Sequence, residues 1–560
     1  MRTMIVKTYN SLKRKKNEFL INRKQKKQVK SLYKKKLVII QIDGLSYDDL
    51  IFCMNDGYAP FLKKLINEQQ YFLKQYNPGL VSTTPVIQAG ILYGDNNDVA
   101  GFRFVDKERK KAVSLESPLD AFYLENTYYK DKKGLLADYG SSYFNHFSGT
   151  AERSMFTMST LWKQSKLQKL KQTDLLLIFL ANPLRIVKVA YLAAYEIIIE
   201  HLEGVWRGIV AFFKWKRAKI PLVYSLVRMN MNVICRELAT LGTIIDMSRD
   251  TPIIYTNYIG YDEVSHHRGP SNKSVYRIVR AIDRNIKRIW NKKPSEYEMI
   301  ILSDHGQTEA LPFKCVYKQS LGDFIQQLTA VPVSFDEEID TEEITLEYIK
   351  RYLDEASKKN KFAGLLTIFE SKKLEKEKKK KLTAISIATS CNLAQIYFLI
   401  EKKKLVRTEI DQFYPDFISE LIKHHGIGVV FGRGENHFFI LTKEGEITFT
   451  ATGEISTDED RKKLAYLLNN YKMNISHEIF IKQILKMMQK PLAGDLIIIG
   501  SMIKDKDNKQ KMISFVDHFG SHGAFGGKQT NAFIITKDEI KEEIYDATQI
   551  HKIIKERYCR

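Results

Sequence analysis

The sequence predicts an α/β fold, a mostly parallel sheet sandwiched by helices and interrupted by a helical insertion and a second, α+β insertion. Four apolar runs, 37–42, 252–258, 299–302 and 496–499, end in polar or glycine residues, as buried parallel strands do. Three of the four lead straight into segments rich in Asp and His. Open α/β sheets assemble their sites at strand C-termini, so Asp43, Asp262 and Asp304 are expected to meet in space although they lie far apart in the chain.

Taken in order, residues 1–36 form a basic tail with fourteen Lys or Arg against the single acid Glu18, about +13 of the net charge of +22. Clustered cations are drawn to anionic lipid or nucleic acid, and a solvated leader is the plain alternative. The lysines run on through Lys36 with no apolar core behind them, so no signal peptide is predicted. The catalytic core is expected in three parts, 37–165, 246–330 and 492–560. An apolar share of 44% with 28% charged residues suits a globular chain of this length, 560 residues.

The first insertion, 166–245, has helical periodicity and few glycines. Its most apolar part, 175–184, is too short to span a bilayer before Arg185 and Lys188 intervene, so no transmembrane helix is predicted. Residues 202–219 mix Trp206, Phe212, Phe213 and Trp215 with Arg207, Lys214, Lys216 and Arg217, a composition of helices lying at a membrane interface. A packed cap is the favoured expectation, with peripheral association to an anionic membrane beside it. The second insertion, 331–491, carries the charge run 372–381 and a hairpin signal, 438–441 and 446–450 joined through Lys-Glu-Gly. Five scattered cysteines, Cys53, Cys235, Cys315, Cys391 and Cys559, with no close pair at metal-ligand spacing, suggest free thiols and a cytoplasmic location.

Five segments carry the chemistry. Asp43-Gly44 places a carboxylate at a strand end before a turn, where a helix cap or turn residue would be the ordinary explanation. Ser82-Thr83-Thr84-Pro85 puts hydroxyls at the start of a helix, where N–H groups favour a phosphate, although an N-cap is the default for such residues. Asp262 and His266, four apart, can face one metal from a helical turn or a loop. Ser303-Asp304-His305-Gly306 follows the 299–302 run directly. Gly520-Ser521-His522-Gly523 gives His522 room to approach, with His518 a competing candidate.

In this order the segments resemble the alkaline phosphatase superfamily, most closely its type I phosphodiesterase/nucleotide pyrophosphatase branch. That branch's Asp-x-x-Gly-His-x-x-Gly-Pro pattern is met at Asp262, His266, Gly269 and Pro270, with Ser265 in place of its glycine. Asp-Gly, Asp-His-Gly and the final His-Gly are met at Asp43, Asp304 and His522. The resemblance implies two divalent ions, zinc with manganese as the alternative. Asp262, His266 and His522 would hold one, and Asp43, Asp304, His305 and the nucleophile the other. It implies Thr83 as that nucleophile, since the family's residue precedes a proline by two positions. The spacing to the family's downstream glycine, here Gly94, fits Thr84 instead unless one residue is inserted near Ile87, and Thr84 stays open. The family's phosphate-binding asparagine has no match in 101–106, leaving Arg103 as the candidate for the phosphate oxygens, or else a surface ion-pair residue.

The implied activity is a metal-dependent phosphohydrolase, a phosphodiesterase or nucleotide pyrophosphatase acting through a phosphothreonine on a phosphate-ester substrate. The alternatives are a phosphomonoesterase or phospholipid-headgroup hydrolase of the same superfamily, and a catalytically inactive membrane-surface protein. Nucleic acid is expected only as substrate. A sulfatase is disfavoured because no arginine follows Pro85 closely, and a cofactor-independent phosphoglycerate mutase because it uses a serine nucleophile.

Overall fold

The computed structural model describes residues 34–162, 174–176, 178–213, 228–336 and 382–559. Residues 1–33 of the basic tail, the 372–381 charge run and the part of 202–219 beyond Phe213 lie outside them.

The main sheet has seven strands. From one edge these are Phe72–Tyr76, Ala532–Thr536, Tyr297–Leu302, Lys36–Ile42, Ile253–Tyr258, Ser141–Tyr143 and Arg153–Met155. The central Lys36–Ile42 strand pairs in parallel with both neighbours, and only the pairings made by Ala532–Thr536 are antiparallel. Its side chains alternate between two cores. Leu37 and Ile39 join one, while Val38, Ile40 and Ile42 join the other, so an unbroken apolar run is what a strand covered on both faces requires.

On one face pack the helices Arg236–Ser248 and Lys273–Trp290. The latter turns Val275, Ile278, Val279, Ile282, Ile286 and Ile289 inward at three- and four-residue steps. On the other lies the helix Thr84–Tyr93, every residue of which is buried, against the helix Ala547–Tyr558. Gly90 is what lets these two approach, since a Cβ there would come within 2.8 Å of the Ala547 Cβ.

The second sheet also has seven strands, in the order Val333–Asp336, Ile385–Ser390, Leu393–Phe398, Leu496–Gly500, Ile427–Arg433, Phe438–Thr442 and Gly445–Phe449. The expected hairpin is its last pair, with Leu441 opposite Glu446. The 496–499 run needs a correction. It belongs to this sheet and is antiparallel to both neighbours, not a parallel strand. Leu496 and Ile498 face one core and Ile497 and Ile499 another, so burial on both faces produced the same apolar run.

In the first insertion the helix Pro183–Phe213 is followed by a π-helical turn, Asn230–Cys235, that runs into Arg236–Ser248. Lys188 and Arg228 tie the long helix down, through Glu237 and Glu196 respectively. No single helix among the described residues is long and apolar enough to cross a membrane. One pair, Asp174–Leu180 with Pro183–Ile199, passes by length and composition but is bent by 87°.

Candidate active site

Three strands of the main sheet deliver their C-termini to one place. Asp43 follows Ile42, Asp262 lies in the first turn of the helix Gly260–Arg268 after the Ile253–Tyr258 strand, and Asp304 and His305 follow Leu302. The turn at Gly44 has φ +71°, and a Cβ there would overlap Asp262 Oδ1, so glycine is what lets the two carboxylates share the space. Asp262 and His266 sit one turn apart on a helix, with Asp262 Oδ2 3.1 Å from His266 Nε2. His522 arrives on the loop after Gly520–Ser521. That loop is strapped to the start of the Thr84–Tyr93 helix by Ser82 N–H to Gly523 O at 3.3 Å and Gly523 N–H to Ser82 Oγ at 3.2 Å.

The ligand atoms fall into two adjoining groups. In the first, Asp262 Oδ2 is 3.1 Å and His522 Nε2 is 3.2 Å from His266 Nε2. In the second, His305 Nε2 is 3.3 Å from Asp304 Oδ2 and 3.8 Å from Asp43 Oδ1. Thr84 Oγ1 is 3.1 Å from both Asp43 Oδ1 and His305 Nε2. Two donors about 2.1 Å from one tetrahedral ion are about 3.4 Å from each other, so most of these separations are close to those of a coordination shell. The groups touch through the stacked rings of His305 and His522, whose centroids are 3.8 Å apart.

Hydrogen bonding fixes which nitrogens face inward. The Nδ1 atoms of His266, His305 and His522 lie 2.9, 3.0 and 2.9 Å from the carbonyl oxygens of Gly520, Gly306 and Ser82. A carbonyl only accepts, so each Nδ1 carries the proton and each neutral imidazole turns a bare Nε2 to the site. Two bare Nε2 atoms 3.2 Å apart, and a buried Asp304 Oδ2 that receives no hydrogen bond, call for positive charge between them. A proton is a poor candidate at His522, because burial and then His305 push its pKa well below the ordinary value. Burial, with the carboxylates of Asp304 and Asp262, pushes Asp43 well above the usual carboxylate range. The donor set therefore fits metal cations.

Of the residues expected from sequence, Asp43, Asp262, His266, Asp304, His305 and His522 are brought together. The two threonines separate clearly. Thr83 is the residue before the helix, its hydroxyl buried and without a hydrogen-bond partner, whereas Thr84 opens the helix with its hydroxyl between Asp43 and His305. The helix runs from Thr84 to Tyr93 and closes on Gly94 at φ +69°. Arg103 is buried and ion-paired with Glu116, and it also donates to Thr389 O at 3.4 Å. His518 lies against His266, ring centroids 4.1 Å apart.

Sequence reasoning missed the residues that hold Asp43. Asn257 Nδ2 donates to Asp43 Oδ2 at 2.7 Å and Gln41 Nε2 at 3.4 Å, and Gln41 Oε1 in turn accepts from Gln88 and Tyr255. Gln41 and Asn257 are register partners on adjacent strands. A polar residue inside each of two apolar runs was the available signal. Gln307, which donates to Asp262, gave none.

The sequence profile of the type I phosphodiesterase/nucleotide pyrophosphatase family matches residues 37–367, more than half the chain. The chain belongs to this family. As a type I phosphodiesterase/nucleotide pyrophosphatase family member it lies in the alkaline phosphatase superfamily and is a hydrolase of phosphoric ester bonds. No curated protein sequence matches it. Similar solved structures include phosphonoacetate hydrolase from Sinorhizobium meliloti 1021, 11% identical with a TM-score of 0.43 over 93% of this chain and 95% of that one. Murine ectonucleotide pyrophosphatase/phosphodiesterase 5 is 10% identical, TM-score 0.44, over 93% and 94%. The alkaline phosphatase PafA is 12% identical, TM-score 0.49, over 93% and 95%.

Proposed function

We propose that this family member is a metal-dependent phosphodiesterase in which Thr84, not Thr83, is the nucleophile. The observation that supports it is the Thr84 hydroxyl held 3.1 Å from both Asp43 and His305. Asp262, His266 and His522 would hold one divalent ion and Asp43, Asp304, His305 and Thr84 a second, with zinc or manganese suited to such oxygen and nitrogen donors. Such ions, when bound, lower the pKa of a hydroxyl and offset charge on a phosphate.

The chain's own residues do the rest. Asp43, fixed by Asn257 and Gln41, directs the Thr84 hydroxyl towards the scissile phosphorus. The N–H groups of Thr84 and Val86 precede the first helical bond, Ile87 N–H to Thr83 O at 3.0 Å, and with the helix dipole they favour phosphate oxygens. Attack forms a Thr84–O–P bond as the alcohol leaves. Water then cleaves the phosphothreonine, releasing a phosphomonoester and restoring the hydroxyl. Arg103, engaged by Glu116, is a weaker candidate for phosphate contact than these N–H groups. The test is release of p-nitrophenolate from bis-p-nitrophenyl phosphate and from p-nitrophenyl phosphate. Turnover of the diester that a chelator stops and zinc or manganese restores is expected. Faster turnover of the monoester would replace the diesterase reading with a monoesterase one, and no metal-dependent turnover of either would remove both.

We also infer that the first insertion meets an anionic membrane. Leu184, Val187, Tyr191, Tyr195, Ile198 and Leu202 are exposed on the Pro183–Phe213 helix at steps of three and four residues, one apolar stripe bordered by Lys188. Arg207, Lys214, Lys216 and Arg217 follow in sequence, and the tail adds fourteen cations, each worth about 1 kcal/mol near an anionic surface. Co-sedimentation with phosphatidylglycerol vesicles, weakened by Val187→Glu with Tyr191→Glu, is expected. Equal sedimentation of wild type and variant would overturn it.

A further inference from the structure

Beside the Asp262 group lies a second ligand cluster that no step above uses. His266, Cys391 and His518 each offer an atom within 4.8 Å of the others. Cys391 sits at the tip of the hairpin joining Ile385–Ser390 to Leu393–Phe398, in the left-handed region at φ +56°, with its carbonyl accepting from Phe515 N–H at 2.8 Å. The hairpin of the second sheet thus reaches the mouth of the site built by the first. His518 comes from the loop that also carries His522, and Phe519 N–H ties that loop to His266 O at 2.7 Å.

The geometry is that of a thiolate metal site. Cys391 Sγ and His518 Nδ1 are 3.7 Å apart. A thiolate at about 2.3 Å and an imidazole at about 2.1 Å from one tetrahedral ion are separated by about 3.6 Å. Cys391 and His518 are both buried.

We propose that Cys391, His518 and His266 form an alternative, thiolate-containing metal site that takes cadmium or surplus zinc and competes with the Asp262–His266–His522 site. The competition follows from His266. Its Nδ1 is committed to Gly520 O at 2.9 Å, so the one lone pair left for a metal is on Nε2, which already faces Asp262 and His522. An ion drawn to the thiolate takes His266 with it and leaves Asp262 and His522 as a two-ligand remnant. Binding releases the thiol proton to solvent as the sulfur–metal bond forms, with no change of oxidation state. A softer ion favours this cluster because sulfur replaces the carboxylate oxygen. The inhibitory consequence rests on the phosphodiesterase reading; the binding does not.

The test titrates the metal-free full-length protein with cadmium and follows sulfur-to-cadmium charge-transfer absorption in the ultraviolet. Wild type is expected to show it at about one equivalent, Cys391→Ser to lose it, and His518→Asn to need on the order of tenfold more cadmium. Cys315→Ser, which alters the exposed thiol, is expected to keep it. Cys391→Ala, with melting temperature checked, repeats the result should the serine variant unfold. Inhibition of diester hydrolysis by excess zinc, measured against each variant's own uninhibited rate, is expected to weaken in Cys391→Ser by a similar factor. Undiminished absorption in both Cys391 variants, or the same zinc inhibition in wild type and Cys391→Ser, would overturn the proposal. If no variant hydrolyses either ester, the cadmium absorption still decides whether the site exists.

Discussion

Replacing the two adjacent threonines one at a time separates chemistry from packing. Thr84→Ala removes the oxygen placed 3.1 Å from Asp43 and from His305 but leaves Asp43, Asp304 and His305 to hold an ion. Asp43 keeps its bonds from Asn257 at 2.7 Å and Gln41 at 3.4 Å, so the fold loses one hydrogen bond of three at that carboxylate, about 1 kcal/mol. On the proposed mechanism turnover loses its nucleophile. Removing such a group costs on the order of 10⁴-fold or more, about 5 kcal/mol of barrier, because only positioning and electrostatic stabilisation remain.

Thr83→Ala has the opposite balance. Its buried hydroxyl has no partner and makes no cap bond to the helix, so deleting it relieves an unpaired polar group worth about 1 kcal/mol. The lost methyl costs about 0.8 kcal/mol, and the two nearly cancel. Wild-type melting temperature and turnover within a few-fold are expected. The assay is initial-rate p-nitrophenolate release with matched metal content, checked by atomic emission. Loss of turnover in Thr83→Ala with Thr84→Ala active would refute the geometric argument, and activity in both would refute a threonine nucleophile altogether.

Three further outcomes follow from the packing. Gly44→Ala forces a side chain into the left-handed region, at about 1–2 kcal/mol, and against Asp262 Oδ1; a lowered melting temperature and loss of bound metal are expected, and wild-type metal content would contradict it. Asp495 is buried, is paired with Lys107 through both oxygens at 3.0 Å and accepts from the N–H groups of Phe398 and Leu405; Asp495→Ala should lower stability in urea by about 3–5 kcal/mol by stranding the lysine. Burial, with Lys486, holds the Lys490 amine down to about 7. An unfolded lysine titrates near 10.4, so between about pH 7 and 10 the unfolded chain binds more protons and this group makes stability rise with pH. Lys490→Met should flatten that rise in denaturant melts at pH 7, 8 and 9, and an unchanged slope would mean that Lys490 titrates normally.

Much of the candidate site was legible because its residues follow features that a sequence displays. Asp43 stands directly behind an apolar run and Asp304 one residue behind another, and Asp262 and His266 keep the one-turn spacing of the helix they occupy. Strand direction was not legible at 496–499. An apolar run records that both faces of a strand are covered, and the Leu496–Gly500 strand has a core on each side just as the Lys36–Ile42 strand does. The threonine was a contest between two spacings, and helix geometry supports the proposal of Thr84. An extra residue inside Thr84–Tyr93 would turn everything after it by about 100°, moving Gly90 off Ala547 and Gly94 off its left-handed cap. A helix buried on all sides resists that rotation, and this supports the spacing to Gly94, and with it the proposal of Thr84, over the spacing to Pro85. The Cys391 cluster was illegible for a different reason. Its three residues come from a helix, a hairpin tip and a loop spread over residues 266–518, and only the meeting of the two sheets brings them within 4.8 Å.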